Sequence, residues 1–225
     1  MKRTALTALG LLTAASMALA HGDVAPQPVD TDALPEVGED WLEENPYRGQ
    51  GPEVWQAAVD IGSSGYNQNC ARCHGLGAVS GGLAPDLRYL EANEDGDMWF
   101  VERFQTGYTQ NGITKMPAFG ELLGQKAAWA IRTYIETRPD DGELDDYSAR
   151  LGEIRDQLAA MATGGEGDRD ALVTELQGIA DKIETASGAP LADSVAYRAA
   201  HLISGDTPNY QGAAEALTIG LSAAH

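Results

Sequence analysis

The chain has 225 residues, 43% of them hydrophobic, and a formal net charge of −19 at neutral pH. A surface this acidic repels nucleic acid and anionic lipid, so no partner of either class is expected. The charge favours high solubility and partners that present basic surfaces at the point of contact.

Residues 1–20 have the pattern of a secretory signal peptide. Lys2 and Arg3 give a positive start, an apolar run follows, and Ala18 to Ala20 form a small-residue cleavage site. The apolar run is too short to span a bilayer. We therefore expect a cleaved protein of the periplasm with no membrane span, whose net charge falls from −19 to −21 once the two basic residues are lost.

Residues 21–52 are predicted to form an extended arm. The segment contains five prolines and few apolar residues at a regular spacing. We expect it to lie over the surface of the following domain, with Trp41 and Tyr47 as its only large anchors.

A first helix is predicted over residues 53–70, where Val54, Ala58 and Ile61 recur at helical spacing. Gly62 is unusual in a helix interior, because glycine costs about 1 kcal/mol there relative to alanine. A close crossing with another helix would explain it.

The first helix leads into Cys70-Ala71-Arg72-Cys73-His74. Two thiols separated by two residues, with a histidine directly after the second, form the attachment pattern of c-type haem. One turn of helix places Cys70 and Cys73 on a common face, within reach of two porphyrin vinyl groups. His74 then projects towards the iron.

Three other interpretations of the two cysteines are weaker. A disulfide would close a very small, strained loop and would leave His74 without a role. A thioredoxin-like dithiol needs a βαβ setting, whereas the surrounding pattern is helical. A zinc site needs about four ligands, and the chain has no further cysteine.

The pattern after the motif predicts a glycine-rich loop over residues 75–82, a short segment over 86–91, a helix over 96–105, a loop over 107–114 and a closing helix over 124–137. Met98, Trp99 and Phe100 on the middle helix are expected to cover one flank of the haem. Pro139 to Gly142 mark a boundary.

Met116 is the candidate second iron ligand. Methionine opposite histidine is the pairing of electron-transfer haem, because the soft thioether favours ferrous iron and closes the iron to substrate. Pro117 restricts Met116 to an extended backbone, which suits a ligand on a loop. Met98 lies in a helical apolar cluster, where core packing is the simpler interpretation.

Residues 53–139 resemble a class I c-type cytochrome domain. The similarity rests on Gly62 and Tyr66, the Cys70 to Gly75 motif, Pro85-Asp86-Leu87, Met116-Pro117, and Trp129, Ile131, Tyr134 and Ile135 of the closing helix. It implies an all-α domain with one covalently bound haem c and with the first and last helices crossing closely at Gly62. It also implies that the Pro85 carbonyl accepts a hydrogen bond from the ring of His74, which orients that ligand.

The arm carries a narrower resemblance, to soluble periplasmic cytochromes that accept electrons from PQQ-dependent alcohol dehydrogenases. Its residues are His21 to Val24, Val29 to Thr31, Trp41 and Glu44 to Arg48. It implies a periplasmic quinoprotein dehydrogenase as electron donor, and a terminal oxidase or another cytochrome as acceptor.

Residues 143–225 depart from both resemblances. Apolar stripes and glycine-rich breaks predict helices over 145–162, 169–186, 191–204 and 210–223. A small antiparallel bundle or long hairpins packed on the cytochrome domain is the expected form. No motif in this extension indicates chemistry, and an interaction or dimerisation surface stays open.

The leading hypothesis is a single-haem carrier of electrons that is not an enzyme. Two alternatives remain: a cytochrome subunit of a larger redox complex docked through the C-terminal helices, and a haem enzyme or ligand sensor with an open iron site. Binding of carbon monoxide to the ferrous protein would favour the haem enzyme or ligand sensor.

Overall fold

The computed structural model describes residues 25–222, and the predicted all-α class is confirmed for them. The helices are α1 (Pro52–Asn69), α2 (Ala71–His74), α3 (Glu94–Thr106), α4 (Gly120–Glu136), α5 (Gly142–Ala162), α6 (Arg169–Ala180), α7 (Val195–Ser204) and α8 (Tyr210–Ser222). Short 3-10 turns cover Pro46–Gly49, Leu76–Ala78 and Leu87–Tyr89. The predicted signal peptide, and the first four residues predicted for the arm, lie outside the described residues. None of the helices within 25–222 has the length and apolar character needed to cross a membrane.

Helices α1 and α4 cross closely, and Gly62 lies at the crossing point. A Cβ atom at Gly62 would lie only 1.9 Å from the carbonyl oxygen of Ala130 on α4. One turn further along, the rings of Tyr66 and Tyr134 pack with their centroids 5.3 Å apart. The expectation that a helix crossing explains this glycine is confirmed.

A β-hairpin occupies most of the segment predicted as a loop over 107–114, so that prediction was wrong. Strands β1 (Tyr108–Gln110) and β2 (Ile113–Met116) pair antiparallel, with Tyr108 opposite Met116. The turn residues Asn111 and Gly112 both have positive φ, at 52° and 74°. Asn-Gly is the preferred pair for such a tight turn, and this signal was present in the sequence.

The arm is anchored more extensively than the two aromatic residues predict. Tyr47 is fully buried and Trp41 packs against the core, but Leu34 and Asn45 are also buried at 4% and 5% exposure. The prediction that Trp41 and Tyr47 are the only large anchors was therefore wrong. Polar residues of the arm take part as well, because they complete an ion-pair network inside the protein.

This network joins the arm to α3 and α4. The Arg48 guanidinium lies 2.6 Å from carboxylate oxygens of both Asp97 and Glu136, and Nε of Arg132 lies 2.9 Å from Asp97. Asp97, Arg132 and Glu136 are almost completely buried. Burial lowers the pKa of Arg132, although the two carboxylates oppose the effect. Two positive and two negative groups balance, so no net charge is buried.

Helices α5 to α8 pack around a core of their own, which includes the predicted stripes on α5 and α6. Helix α6 ends at Ala180 and α7 begins at Val195, so both predicted helices were too long. Residues between them form a seam with the C-terminal end of α4. Its contacts are Ser187 Oγ to the Glu136 carbonyl, the Ala192 amide to the Thr137 carbonyl, and Arg138 to Asp193 at 3.4 Å.

Candidate haem-binding site

The two cysteines and the histidine lie on a single helical turn. Cys70 ends α1, and α2 supplies one further turn that ends at His74. The Cys70 carbonyl accepts hydrogen bonds from the backbone N–H groups of Cys73 and His74, at 3.1 and 3.0 Å. Both thiols are free and partly buried. This is the local geometry that attachment of one group through both sulfurs requires.

The His74 ring is oriented by the carbonyl of Pro85, which lies 2.9 Å from Nδ1. A carbonyl oxygen only accepts hydrogen bonds, so Nδ1 carries the proton in this arrangement. The lone pair of Nε2 is then free to bind a metal ion. The contact implied by the family resemblance is present in the structure.

Cys70, Ala71 and Met116 contact the same apolar cluster. Its fully or almost fully buried members include Tyr66, Ala78, Leu87, Phe100, Phe104, Phe119 and Ile131. Phe104 packs against both Phe100 and Phe119, with centroids 5.8 Å apart in each pair. The attachment turn and the candidate second ligand therefore belong to one water-poor region.

Met116 ends strand β2, and close backbone packing fixes its position. Gly107 has φ of +68°, and a Cβ atom there would lie 2.4 Å from the Met116 carbonyl oxygen. Only glycine allows this approach at this conformation.

Met98 is more exposed than predicted. Its side chain is 40% exposed and that of Trp99 is 41% exposed, so only Phe100 of these three residues is buried. Core packing was the wrong interpretation of Met98.

The environment of Cys70 favours a neutral thiol. Burial, with a smaller contribution from neighbouring Cys73, raises the pKa of Cys70 to about 12. A thiol with this pKa is almost fully protonated at neutral pH and is a poor nucleophile. The raised pKa argues against a catalytic or redox role of Cys70 as a thiolate.

Arg88 is a buried residue of the site region that sequence reasoning missed. Its side chain is 4% exposed, and it donates hydrogen bonds to Asp86 and to the carbonyl of Pro139. These hydrogen bonds lower the pKa of Asp86, although burial alone would raise it. No local signal could reveal the second contact, because Pro139 lies 51 residues further along the chain.

The residues present fit a covalently attached haem. The site combines two thiols on one turn, an imidazole whose Nε2 is free, a thioether and an apolar lining. Residues 57–135 match the family model described as "Cytochrome C oxidase, cbb3-type, subunit III". The chain is also 51% identical over 132 residues to cytochrome c550 of Pseudomonas aeruginosa, covering 90% of that protein. The chain belongs to the c-type cytochrome family.

Membership of this family means that the cytochrome carries a covalently bound haem c with its iron, and that it is an electron carrier rather than an enzyme. The P. aeruginosa protein corresponds to 59% of this chain, so about two-fifths of the cytochrome has no counterpart there.

Weaker matches concern parts of larger proteins. The cytochrome is 36% identical over 94 residues to the quinohemoprotein alcohol dehydrogenase ADH IIB of Pseudomonas putida, which covers 12% of that enzyme. It is 35% identical over 97 residues to the cbb3-type cytochrome c oxidase subunit FixP of Rhizobium meliloti, covering 31% of that subunit. No solved structure matches the chain significantly.

Proposed function

We propose that this protein is a periplasmic, single-haem carrier that accepts electrons from a quinoprotein (PQQ) alcohol dehydrogenase and passes them towards a terminal oxidase. In this proposal Cys70 and Cys73 hold the haem, and His74 and Met116 bind the iron. The redox unit is residues 53–139, and residues 143–225 form a helical extension. When bound, the haem supplies a one-electron couple between ferrous and ferric iron.

The observation that carries the ligand assignment is the hydrogen bond between His74 and Pro85. It fixes the tautomer and the orientation of the imidazole, and so leaves Nε2 available. Met116 lies against the same apolar cluster as Cys70, on a backbone held by Gly107. With His74 and Met116 both bound to it, the iron would have no open position for a substrate, as a carrier requires.

Exposed apolar side chains around the site suit brief docking of a redox partner. Leu76 and Leu83 are 77% and 76% exposed and lie close in sequence to His74 and Pro85, while Ile113 and Leu122 lie on either side of Met116 in sequence. Exposed leucines and isoleucines near the candidate ligands suit an interaction surface.

The charge near these side chains differs from that of the whole chain. Segments 70–90 and 107–122, which contain these four side chains, have three basic and two acidic residues, whereas the full sequence contains 15 basic and 34 acidic residues. The site region is therefore apolar and close to neutral within a strongly acidic protein. Attraction of a basic partner comes from the rest of the surface, and contact at the site is mainly apolar.

The donor class is supported by the match to a quinohemoprotein alcohol dehydrogenase, and the acceptor class by the match to a cbb3-type oxidase subunit. We expect a purified quinoprotein alcohol dehydrogenase, supplied with its alcohol, to reduce the ferric protein. The rate should fall as ionic strength rises, because salt screens the attraction between an acidic carrier and a basic partner. Stopped-flow absorption measures this rate directly.

A matched pair of variants tests the docking surface. Leu83→Asp places a charge in the apolar surface at the site, and Ile219→Asp makes the same change at a 68% exposed position on α8. We expect roughly a tenfold slower reduction for Leu83→Asp and an unchanged rate for Ile219→Asp. Failure of the dehydrogenase to reduce a wild-type protein that dithionite reduces normally would reject this donor class.

A second candidate is a subunit of a larger redox complex that docks through the C-terminal helices. The match to FixP favours it, because a related cytochrome unit forms 31% of that oxidase subunit. Purification of the native protein with a stoichiometric partner would support this candidate, and purification as a free protein would reject it.

A further inference from the structure

Pro85, whose carbonyl oxygen lies 2.9 Å from Nδ1 of His74, leads directly into the short turn Leu87–Tyr89. Asp86 caps the turn Leu87–Tyr89 and accepts hydrogen bonds from the backbone N–H groups of Ser80 at 3.2 Å and Arg88 at 3.1 Å. A three-residue turn has little stability of its own, so its position depends on contacts from outside the segment.

Arg88 supplies such contacts. Its guanidinium donates to both carboxylate oxygens of Asp86, at 3.1 and 2.8 Å, and to the carbonyl of Pro139 at 3.1 Å. The same group lies 2.9 Å from Asp141. Pro139 and Asp141 lie between α4 and α5. Helix α5 is the first helix of the C-terminal unit, which consists of α5 to α8 and the segments between them. One buried guanidinium thus links the segment that orients His74 to the C-terminal unit.

Residues of the C-terminal unit also make backbone hydrogen bonds to the connection between α4 and α5 and to the end of the segment that follows Pro85. The Asp140 amide donates to the Glu184 carbonyl at 2.9 Å, which fixes the connection between α4 and α5. The Ala92 amide donates to the Ser187 carbonyl, also at 2.9 Å. Residues 85–92 are therefore held at Arg88 and at Ala92 by residues that follow α4.

We propose that Arg88 is a positioning residue for His74, through which the C-terminal helical unit holds the Pro85 carbonyl against the imidazole and so sets the reduction potential of the iron. This inference rests on the proposed role of His74 as an iron ligand. It gives the extension a function inside the redox site, in addition to any role in docking.

Replacing Arg88 could change the reduction potential in two ways, by loosening the hydrogen bond to His74 or by removing a positive charge. The two effects have opposite signs. A hydrogen bond from Nδ1 to a carbonyl makes the imidazole a more basic ligand, and a more basic ligand favours ferric iron. Loosening that bond therefore raises the potential. Loss of the positive charge of Arg88 has the opposite effect, because a less positive environment favours the ferric state and lowers the potential.

The test compares the full-length holoproteins of Arg88→Ala and Arg88→Lys with the wild type. We expect a higher midpoint potential for Arg88→Ala. We also expect the Nδ1 proton of His74, followed by NMR in the reduced protein, to exchange with solvent roughly tenfold faster. Lysine keeps the positive charge but cannot make the forked contacts of arginine. The exchange rate of the His74 proton in Arg88→Lys should therefore lie between those of the wild type and Arg88→Ala.

Arg150→Ala is the matched control, because Arg150 also pairs with two carboxylates but lies on α5, away from residues 85–92. Its potential and exchange rate should equal those of the wild type. An unchanged or lowered potential in Arg88→Ala, or unchanged proton exchange, overturns the proposal. If Arg88→Ala yields no folded holoprotein, Arg88→Lys decides alone: faster exchange supports the proposal and unchanged exchange rejects it.

The proposed function can fail independently of this inference. Carbon monoxide binding to the wild-type ferrous protein would reject the closed iron site without any variant. Normal wild-type behaviour combined with unaltered Arg88 variants would reject only the positioning role of Arg88.

Discussion

At the scale of single residues, the two methionines within residues 53–139 lie in different environments. Met116 lies in the apolar cluster with Cys70, while Met98 is 40% exposed on α3. Pro117 and the helical setting of Met98 favoured Met116 as the candidate ligand, and this assignment stays a prediction. These signals were not enough to place Met98, because the pattern of α3 does not show that Met98 and Trp99 lie outside the buried stripe.

We expect Met116→Ala to open the iron to carbon monoxide. Loss of the thioether should convert a ferrous protein with no detectable binding into one that binds stoichiometrically, and it should lower the reduction potential. Met98→Ala is the control; we expect no carbon monoxide binding and a change in stability below about 1 kcal/mol. Carbon monoxide titration of both variants is the measurement. Binding by Met98→Ala and not by Met116→Ala would reverse the assignment.

At the scale of elements, periodicity predicted the major helices but not where α6 ends and α7 begins. Gly62 predicted a close helix crossing, and the family resemblance implied that its partner is the last helix of the domain. The predicted helices extended over residues 181–186 and 191–194, but hydrogen bonds of Glu184 and Ala192 to residues 137–140 compete with helix formation there. Those partners lie about 50 residues away, as with Ser187 and Glu136, so local pattern does not reveal them.

Two glycine substitutions test the crossing. Gly62→Ala places a methyl group 1.9 Å from the Ala130 carbonyl, whereas a Cβ atom at Gly178 on α6 meets nothing within 4 Å. We expect Gly62→Ala to lower the free energy of unfolding by roughly 1–3 kcal/mol. Gly178→Ala should raise it by about 0.5–1 kcal/mol, because alanine is the better helix former. Denaturant unfolding of the holoproteins measures both, and equal effects of the two changes would contradict the crossing.

At the scale of the whole molecule, residues 53–139 are held by contacts from the arm and from the segment after α4. The arm contributes Arg48 to the buried network with Asp97 and Glu136, and the segment after α4 contributes the contacts of Arg88. The haem motif, the all-α class and the candidate ligands could be predicted from the sequence because each is a local pattern. The buried network and the seam could not, since their charged members look like ordinary surface residues in a chain with 49 charged side chains.

The central claim, a closed iron with His74 and Met116 as its two ligands, is tested most directly by the absorption spectrum of the purified full-length protein, ferric and then ferrous. We expect the weak far-red band of a methionine bound to ferric iron, and no spectral change when carbon monoxide is added to the ferrous form. Absence of the band together with carbon monoxide binding would contradict the claim. It would favour a haem enzyme or ligand sensor with an open iron site.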